Sequence, residues 1–190
     1  MLHKLPISRY TYRTYIVSSG DEFSAEKAHA FEKTFYSAMD ESQGYEEERM
    51  RDLTERKTSY SVYEVPRARA IYQSLLTTPL SSLSCLFACL RLLVLKKRGY
   101  PDIILTNGPA TALIMLLAVK ILRCGTLIGL PWRRNIEELR SIYVESWARV
   151  KTPSLSLKII GWTGLCDKVL VQHRPLAEKG WGEWRSDLMH

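Results

Sequence analysis

Five short runs of β-branched and aromatic residues recur along this chain, and each is followed by a polar turn. The runs lie in "RTYIVSSGD" (13–21), "TSYSVYEVP" (58–66), "GYPDIILTNGPATA" (99–112), "SIYVES" (141–146) and "DKVLVQ" (167–172). Stretches with helical spacing lie between them, as in "SAEKAHAFEKTF" (24–35), where Ser24 is the expected N-cap. Further helices are expected over 67–76, from about Leu80 to Lys97, from about Pro109 to Arg123, and over 154–165. Strands that are continuously apolar need cover on both faces, and helices of ten or more residues between them supply it. The pattern predicts an α/β fold with a mainly parallel sheet. A length of 190 residues suits one domain or one lobe of a larger fold. The expected lobe covers residues 1–172, with a charged loop at about 40–57 and an insertion at about 125–140. Within that insertion "TLIG" (126–129) reads as a short strand. Residues 173–190 show no clear periodicity.

In parallel α/β sheets, ligands sit at the carboxyl ends of the strands. That rule selects Ser18–Asp21, Glu64–Arg67, Thr106–Pro109 and Glu145–Lys151. In "LTNGPATA", Asn107 and Gly108 follow a buried strand, and Pro109 suits a first helical turn. Gly108 permits a positive φ or a close backbone approach, and the free N–H groups of the helix start attract an anion. The same three residues also serve as a plain strand-to-helix turn. In "YVESWARVK", Glu145 and Ser146 stand at the strand-end rim, with Arg149 and Lys151 close behind. Arg149 suits a phosphate or carboxylate, which it can hold through two parallel bonds. Glu145 has three open roles: accepting from a sugar hydroxyl, acting as a base, or holding Arg149 in place. Ser19 and Asp21 in "SSGD", and Arg67 in "VPRARA", are secondary candidates. His29 and His173 stand alone and read as structural.

Charge is uneven. Residues 1–57 carry 9 Lys/Arg against 11 Asp/Glu, a net of −2, whereas residues 58–190 carry 18 against 9, a net of +9. Such a surface favours an anionic partner: nucleic acid, an acidic membrane face or a phosphorylated substrate. Cys85, Cys89, Cys124 and Cys166 form no CxxC pair and read as core thiols of a reducing compartment, not as metal ligands. No dinucleotide fingerprint, Walker loop, HExxH or GxSxG is present. "LSCLFACLRLLVL" (83–95) and "ATALIMLLAVKIL" (110–122) are interrupted by Arg91 and Lys120. Both are expected to be too short to span a bilayer, as core helices or as helices lying in a membrane interface.

Taken in order, "VSSGDEFSAEK", "YEVPRAR", "PDIILTNGP", "IYVESWARVKTPSLS" and "DKVLVQ" resemble one family over roughly residues 9–172. It is the membrane-anchoring subunit of the two-subunit UDP-N-acetylglucosamine transferase of asparagine-linked glycosylation (asparagine-linked glycosylation protein fourteen). The resemblance implies a Rossmann-like lobe similar to the amino-terminal, acceptor-binding half of a GT-B glycosyltransferase. A separate subunit holds the UDP-sugar, so the expected assembly is a heterodimer. Together they add the second N-acetylglucosamine to N-acetylglucosaminyl-diphosphodolichol at the cytosolic face of the endoplasmic reticulum membrane, with the nuclear membrane a further location. The transfer is inverting and needs no cofactor and no obligatory metal, and no nucleic acid is expected. Asn107, Gly108, Pro109, Glu145, Ser146 and Arg149 then become the acceptor- or phosphate-binding candidates, and none is assigned as catalytic. The family's hydrophobic anchor and glycine-rich "GSGGH" loop are expected to fall before Met1. The tail "HRPLAEKGWGEWRSDLMH" departs from the family's closing strand pattern. Two other readings stay open beside this one: a stand-alone α/β module for a phosphorylated ligand or nucleic acid, and a truncated chain that only scaffolds.

Overall fold

The computed structural model describes residues 12–41, 60–69, 73, 77–95, 101–108, 110–127 and 138–184. The chain divides into two compact units, one ending at Val65 and one running from Pro66 onward. The expected helix at 67–76 lies largely outside the described residues, as do 42–57 of the charged loop and 128–137 of the insertion.

The first unit contains β1 (Arg13–Ser18), α1 (Glu22–Glu41) and β2 (Tyr60–Val65). The two strands pair in parallel, with Arg13 opposite Tyr60 and Ser18 opposite Val65. α1 starts three residues earlier than a Ser24 cap requires. The Asp21 carboxylate accepts from the Ser24 amide at 3.1 Å and from its hydroxyl at 2.7 Å, so Asp21 is the cap. A carboxylate at this place also meets the positive end of the helix dipole. Further along the same helix, Glu32 is 1% exposed. It receives Arg13 through Nε and Nη2, each at 2.7 Å, and the Tyr15 hydroxyl at 2.6 Å. A buried carboxylate is tolerated here because a fork of two N–H donors and one O–H surrounds it.

The second unit contains α2 (Thr78–Leu95), β3 (Ile103–Asn107), α3 (Ala110–Leu127), β4 (Arg140–Val144), α4 (Leu155–Thr163), β5 (Lys168–Val171), α5 (Arg174–Glu178) and β6 (Glu183–Trp184). Its sheet has the order β3-β4-β5-β6, parallel throughout. This is the α/β, mainly parallel arrangement that the alternating sequence predicts, and it is consistent with the Rossmann-like lobe that the resemblance implies. The core joins Leu116 of α3, Tyr143 of β4, Leu157 and Ile160 of α4, Val171 of β5 and Leu176 of α5. Those residues recur at helical spacing on the helices and lie inside short apolar strands, the two periodicities from which the fold was read.

Three details depart from the sequence reading. Thr126 and Leu127 of "TLIG" close α3 instead of forming a strand. The Thr126 hydroxyl donates to the Arg123 carbonyl at 2.7 Å, so its β-branched side chain is accommodated inside the last helical turn. α2 has the expected length of 18 residues but begins at Thr78 instead of about Leu80, and it is long and apolar enough to cross a membrane by length and composition, where the apolar run 83–95 was expected to be too short. The earlier start takes in Thr78 and Pro79, since proline is tolerated in a first turn whose N–H groups lack helical partners anyway. The described part of the unpatterned tail, residues 173–184, also folds. α5 and β6 are too short to display a period, yet Leu176 is buried and Trp181 and Trp184 pack on the core.

Candidate functional site

β3 and β4 end side by side. Asn107 pairs with Val144 in register, which sets Gly108 next to Glu145. The Tyr143 hydroxyl donates to the Gly108 carbonyl at 3.3 Å, tying the two strand ends together. Gly108 has φ +108 with nothing within 4 Å of the place where a Cβ would stand. Backbone conformation, not crowding, therefore demands glycine here. Asn107 is exposed at the rim. Pro109 lies outside the described residues.

Glu145 is the surprise of the rim. It is 1% exposed. One carboxylate oxygen accepts from the Ser146 amide at 2.8 Å, and the other from the Ser154 amide at 3.1 Å and hydroxyl at 2.8 Å. Ser154 in turn caps α4, its hydroxyl oxygen accepting from the Leu157 amide at 3.0 Å. The carboxylate thus sits at the positive end of α4 and fills that anion site with the protein's own charge. Of the three roles open in the sequence, holding Arg149 is not the one seen. Glu145 instead closes its own loop, from Ser146 to Ser154. Arg149 is exposed, anchored through its backbone amide to the Ser146 carbonyl at 3.0 Å, with its guanidinium turned to solvent. Lys151 is also exposed, and residues 146–166 contain three cations and no carboxylate. At the surface the rim presents Arg149 and Lys151, while Glu145 is buried beneath it.

Residues after β5 complete this edge. Gln172 donates its side-chain amide to the Glu145 carbonyl at 2.9 Å. His173 Nε2 lies 2.8 Å from the Trp147 carbonyl, and its ring is tilted against the Trp147 indole at 4.8 Å between centroids. The Lys179 ammonium donates to the Lys151 carbonyl at 3.1 Å. Applying the strand-end rule to β5 as well as β4 picks out Gln172 and His173 from the sequence.

The whole arrangement is a parallel-sheet edge with a glycine turn, a braced loop and an exposed arginine. The model of a family described as "Oligosaccharide biosynthesis protein Alg14 like" matches residues 1–186 of this chain. The chain belongs to the Alg14 family. Among curated relatives, the UDP-N-acetylglucosamine transferase subunit alg14 of Aspergillus fumigatus is 40% identical, the match covering 93% of this chain and 89% of the relative. The subunit of the same name from Schizosaccharomyces pombe is 30% identical over 94% of this chain and 70% of its own length. The Homo sapiens subunit is 32% identical over 90% and 66%. No solved structure gave a significant match.

The remaining candidates of this Alg14-family chain have local tasks. In the first unit, the Ser19 amide donates to the Val65 carbonyl at 2.8 Å, and Asp21 caps α1. Arg67 follows β2 and is half-buried in the second unit. Outside the rim, Asp167 accepts both Arg123 guanidinium nitrogens at 2.9 and 2.8 Å, together with the Ser141 amide at 2.7 Å and hydroxyl at 2.8 Å. Arg123 chiefly, and Ser141 with it, hold the Asp167 carboxyl well below the usual carboxylate range. Burial pushes the Tyr143 hydroxyl and the Cys166 thiol up, so both stay protonated near neutrality.

Proposed function

We propose that this chain is the acceptor-side subunit of a UDP-N-acetylglucosamine transferase. It recruits a UDP-sugar-binding catalytic subunit to the cytosolic face of the endoplasmic reticulum membrane. There it presents N-acetylglucosaminyl-diphosphodolichol for addition of the second N-acetylglucosamine. The family and the names of its relatives support the subunit role. The observation that carries the acceptor side is the positive rim at the ends of β3 and β4. A diphosphate headgroup needs donors and cations. Asn107, Gly108, Ser146 and Arg149 offer them on one edge, and the Glu145 carboxylate is turned inward onto its own three donors instead of facing the ligand.

In this reading each residue has a binding or bracing task. Arg149 takes a phosphate oxygen pair, and the backbone of the Gly108 turn approaches the anion without a side chain in the way. Ser146 contributes a hydroxyl, while Glu145 fixes the loop that carries both Ser146 and Arg149. The proton removed from the acceptor sugar hydroxyl goes to a base outside these residues, since both Glu145 oxygens already accept hydrogen bonds. The deciding experiment is co-expression with the UDP-sugar-binding subunit, followed by isolation of the complex and an assay for chitobiosyl lipid. Complex and product are expected together. Isolation of the chain alone, with no product from the mixed subunits, would sink the proposal.

A further inference from the structure

α2 has two unlike faces. On one, Cys85, Cys89 and Leu93 are buried, and the helix packs along α3. The Ser81 and Ser82 hydroxyls donate to the Ala68 carbonyl at 2.9 and 3.1 Å, which fastens the first turn to the segment before it. On the other, Leu80, Leu83, Phe87 and Leu95 are 75, 62, 69 and 64% exposed. Their spacing of three, four and eight residues puts them in one stripe along the helix. Arg91 stands in that stripe between Phe87 and Leu95, and it too is exposed. Scattered exposed leucines need no explanation, but a helix-long row of them does.

Charge narrows what covers this row. From Pro66 to Pro101 the sequence contains six basic residues, Arg67, Arg69, Arg91, Lys96, Lys97 and Arg98, and no acidic residue. Cores of protein–protein interfaces are depleted in lysine, whereas helices that rest on membranes combine an apolar row with lysine and arginine. Anionic headgroups attract such cations within a Debye length. α2 is long and apolar enough to cross a bilayer. Crossing would expose the Ser81 and Ser82 bonds to hydrocarbon and strip Cys85, Cys89 and Leu93 from their packing. Lying flat keeps every one of these contacts.

We infer that α2 is a membrane-contacting surface that lies in the headgroup region of an anionic bilayer. Leu80, Leu83, Phe87 and Leu95 dip toward the acyl chains, and Arg91 reaches lipid phosphates. This deepens the functional reading above and rests on its placing the chain at a membrane, since it names the face that meets the lipid.

The test uses the full chain in sedimentation with phosphatidylcholine vesicles and with mixed phosphatidylcholine–phosphatidylserine vesicles. The wild type is expected to bind the mixed vesicles more tightly and to lose part of that preference in high salt. Leu83→Ser combined with Phe87→Ser is expected to lower partitioning about tenfold or more. The melting temperature should hold, because both side chains face solvent. Arg91→Glu should weaken binding to the mixed vesicles alone. Equal binding by the double variant, or no vesicle binding by the wild type, would overturn the inference. So would a double variant that keeps its vesicle binding but loses the catalytic subunit, which would mark the row as a protein interface. A second arm keeps the two proposals apart, using the catalytic subunit and an acceptor with a short, water-soluble lipid tail. Normal transfer by the double variant there, beside lost vesicle binding, supports the membrane surface. Failure of the wild type there counts against the transferase reading instead.

Discussion

The Glu145 carboxylate accepts three hydrogen bonds from a loop whose far end lies nine residues along the chain. Glu145→Gln keeps the volume but turns one acceptor oxygen into a donor, so a buried N–H or O–H loses its partner. The expected cost is about 1–3 kcal/mol, read as a lower midpoint in thermal or urea unfolding. Arg149→Ala is the contrasting change. Its guanidinium faces solvent, so unfolding should not move. Loss of a charge-assisted phosphate contact should raise the KM for the diphosphate acceptor by about tenfold. An unchanged midpoint for Glu145→Gln would remove the brace, and an unchanged KM for Arg149→Ala would remove the phosphate contact. Sequence spacing placed both residues at the rim, and it singled out Gly108 for a positive φ. It did not reveal that Glu145 belongs to Ser154. A hydrogen bond across a folded loop leaves no periodic trace, and Gln172 reaches the Glu145 carbonyl from 27 residues away.

Among the elements, the helices and strands with a clear period were legible, and those governed by a cap or by brevity were not. α4 shows both cases. Its apolar spacing was readable, and Ser154 caps it with the β-region backbone and side-chain bond that an N-cap requires. Ser154→Ala removes the cap and one of the Glu145 donors together. The expected loss is about 1–2 kcal/mol of stability, with faster amide exchange in the first turn of α4. Uniform exchange across that turn would contradict the assignment. α1 began at Glu22 because Asp21 outcompetes Ser24 as the cap, a choice between two eligible residues that local sequence does not decide. In the same unit, Glu32→Ala leaves Arg13 half-buried without its carboxylate and Tyr15 without its acceptor. It should cost about 3 kcal/mol, more than Arg13→Ala plus Tyr15→Phe would suggest if the contacts were independent. A double-mutant cycle in urea unfolding reads that coupling, and simple additivity would argue against a shared network.

At the scale of the whole chain, the parallel direction of β3, β4 and β5 follows from the alternation of strand and helix, but cross-element ties fix where those elements stop. Asp167 is the clearest. It stands just before β5, takes both guanidinium nitrogens of Arg123 from α3, and accepts the Ser141 amide and hydroxyl from β4. The Arg123 guanidinium also donates to the Leu139 carbonyl, so a single pair links three elements of the sheet-and-helix layer. The Asp167 carboxyl is depressed in the folded chain, first by Arg123 and then by the Ser141 donors, whereas in the unfolded chain it titrates near 4, about where aspartate ordinarily does. A depressed carboxyl contributes stability that is fully present above the unfolded value and is lost as pH falls through the folded one. Asp167→Asn should therefore lower stability by about 1–2 kcal/mol at neutral pH, a moderate figure because the pair is partly open to solvent. The gap between variant and wild type should hold down to about pH 4 and then shrink as the wild type loses its own ionised contact. Urea unfolding of both proteins across that range checks the sign. A gap that widens in acid would mean that Asp167 is protonated in the folded chain and that Arg123 draws its hold on β4 from the Leu139 carbonyl instead.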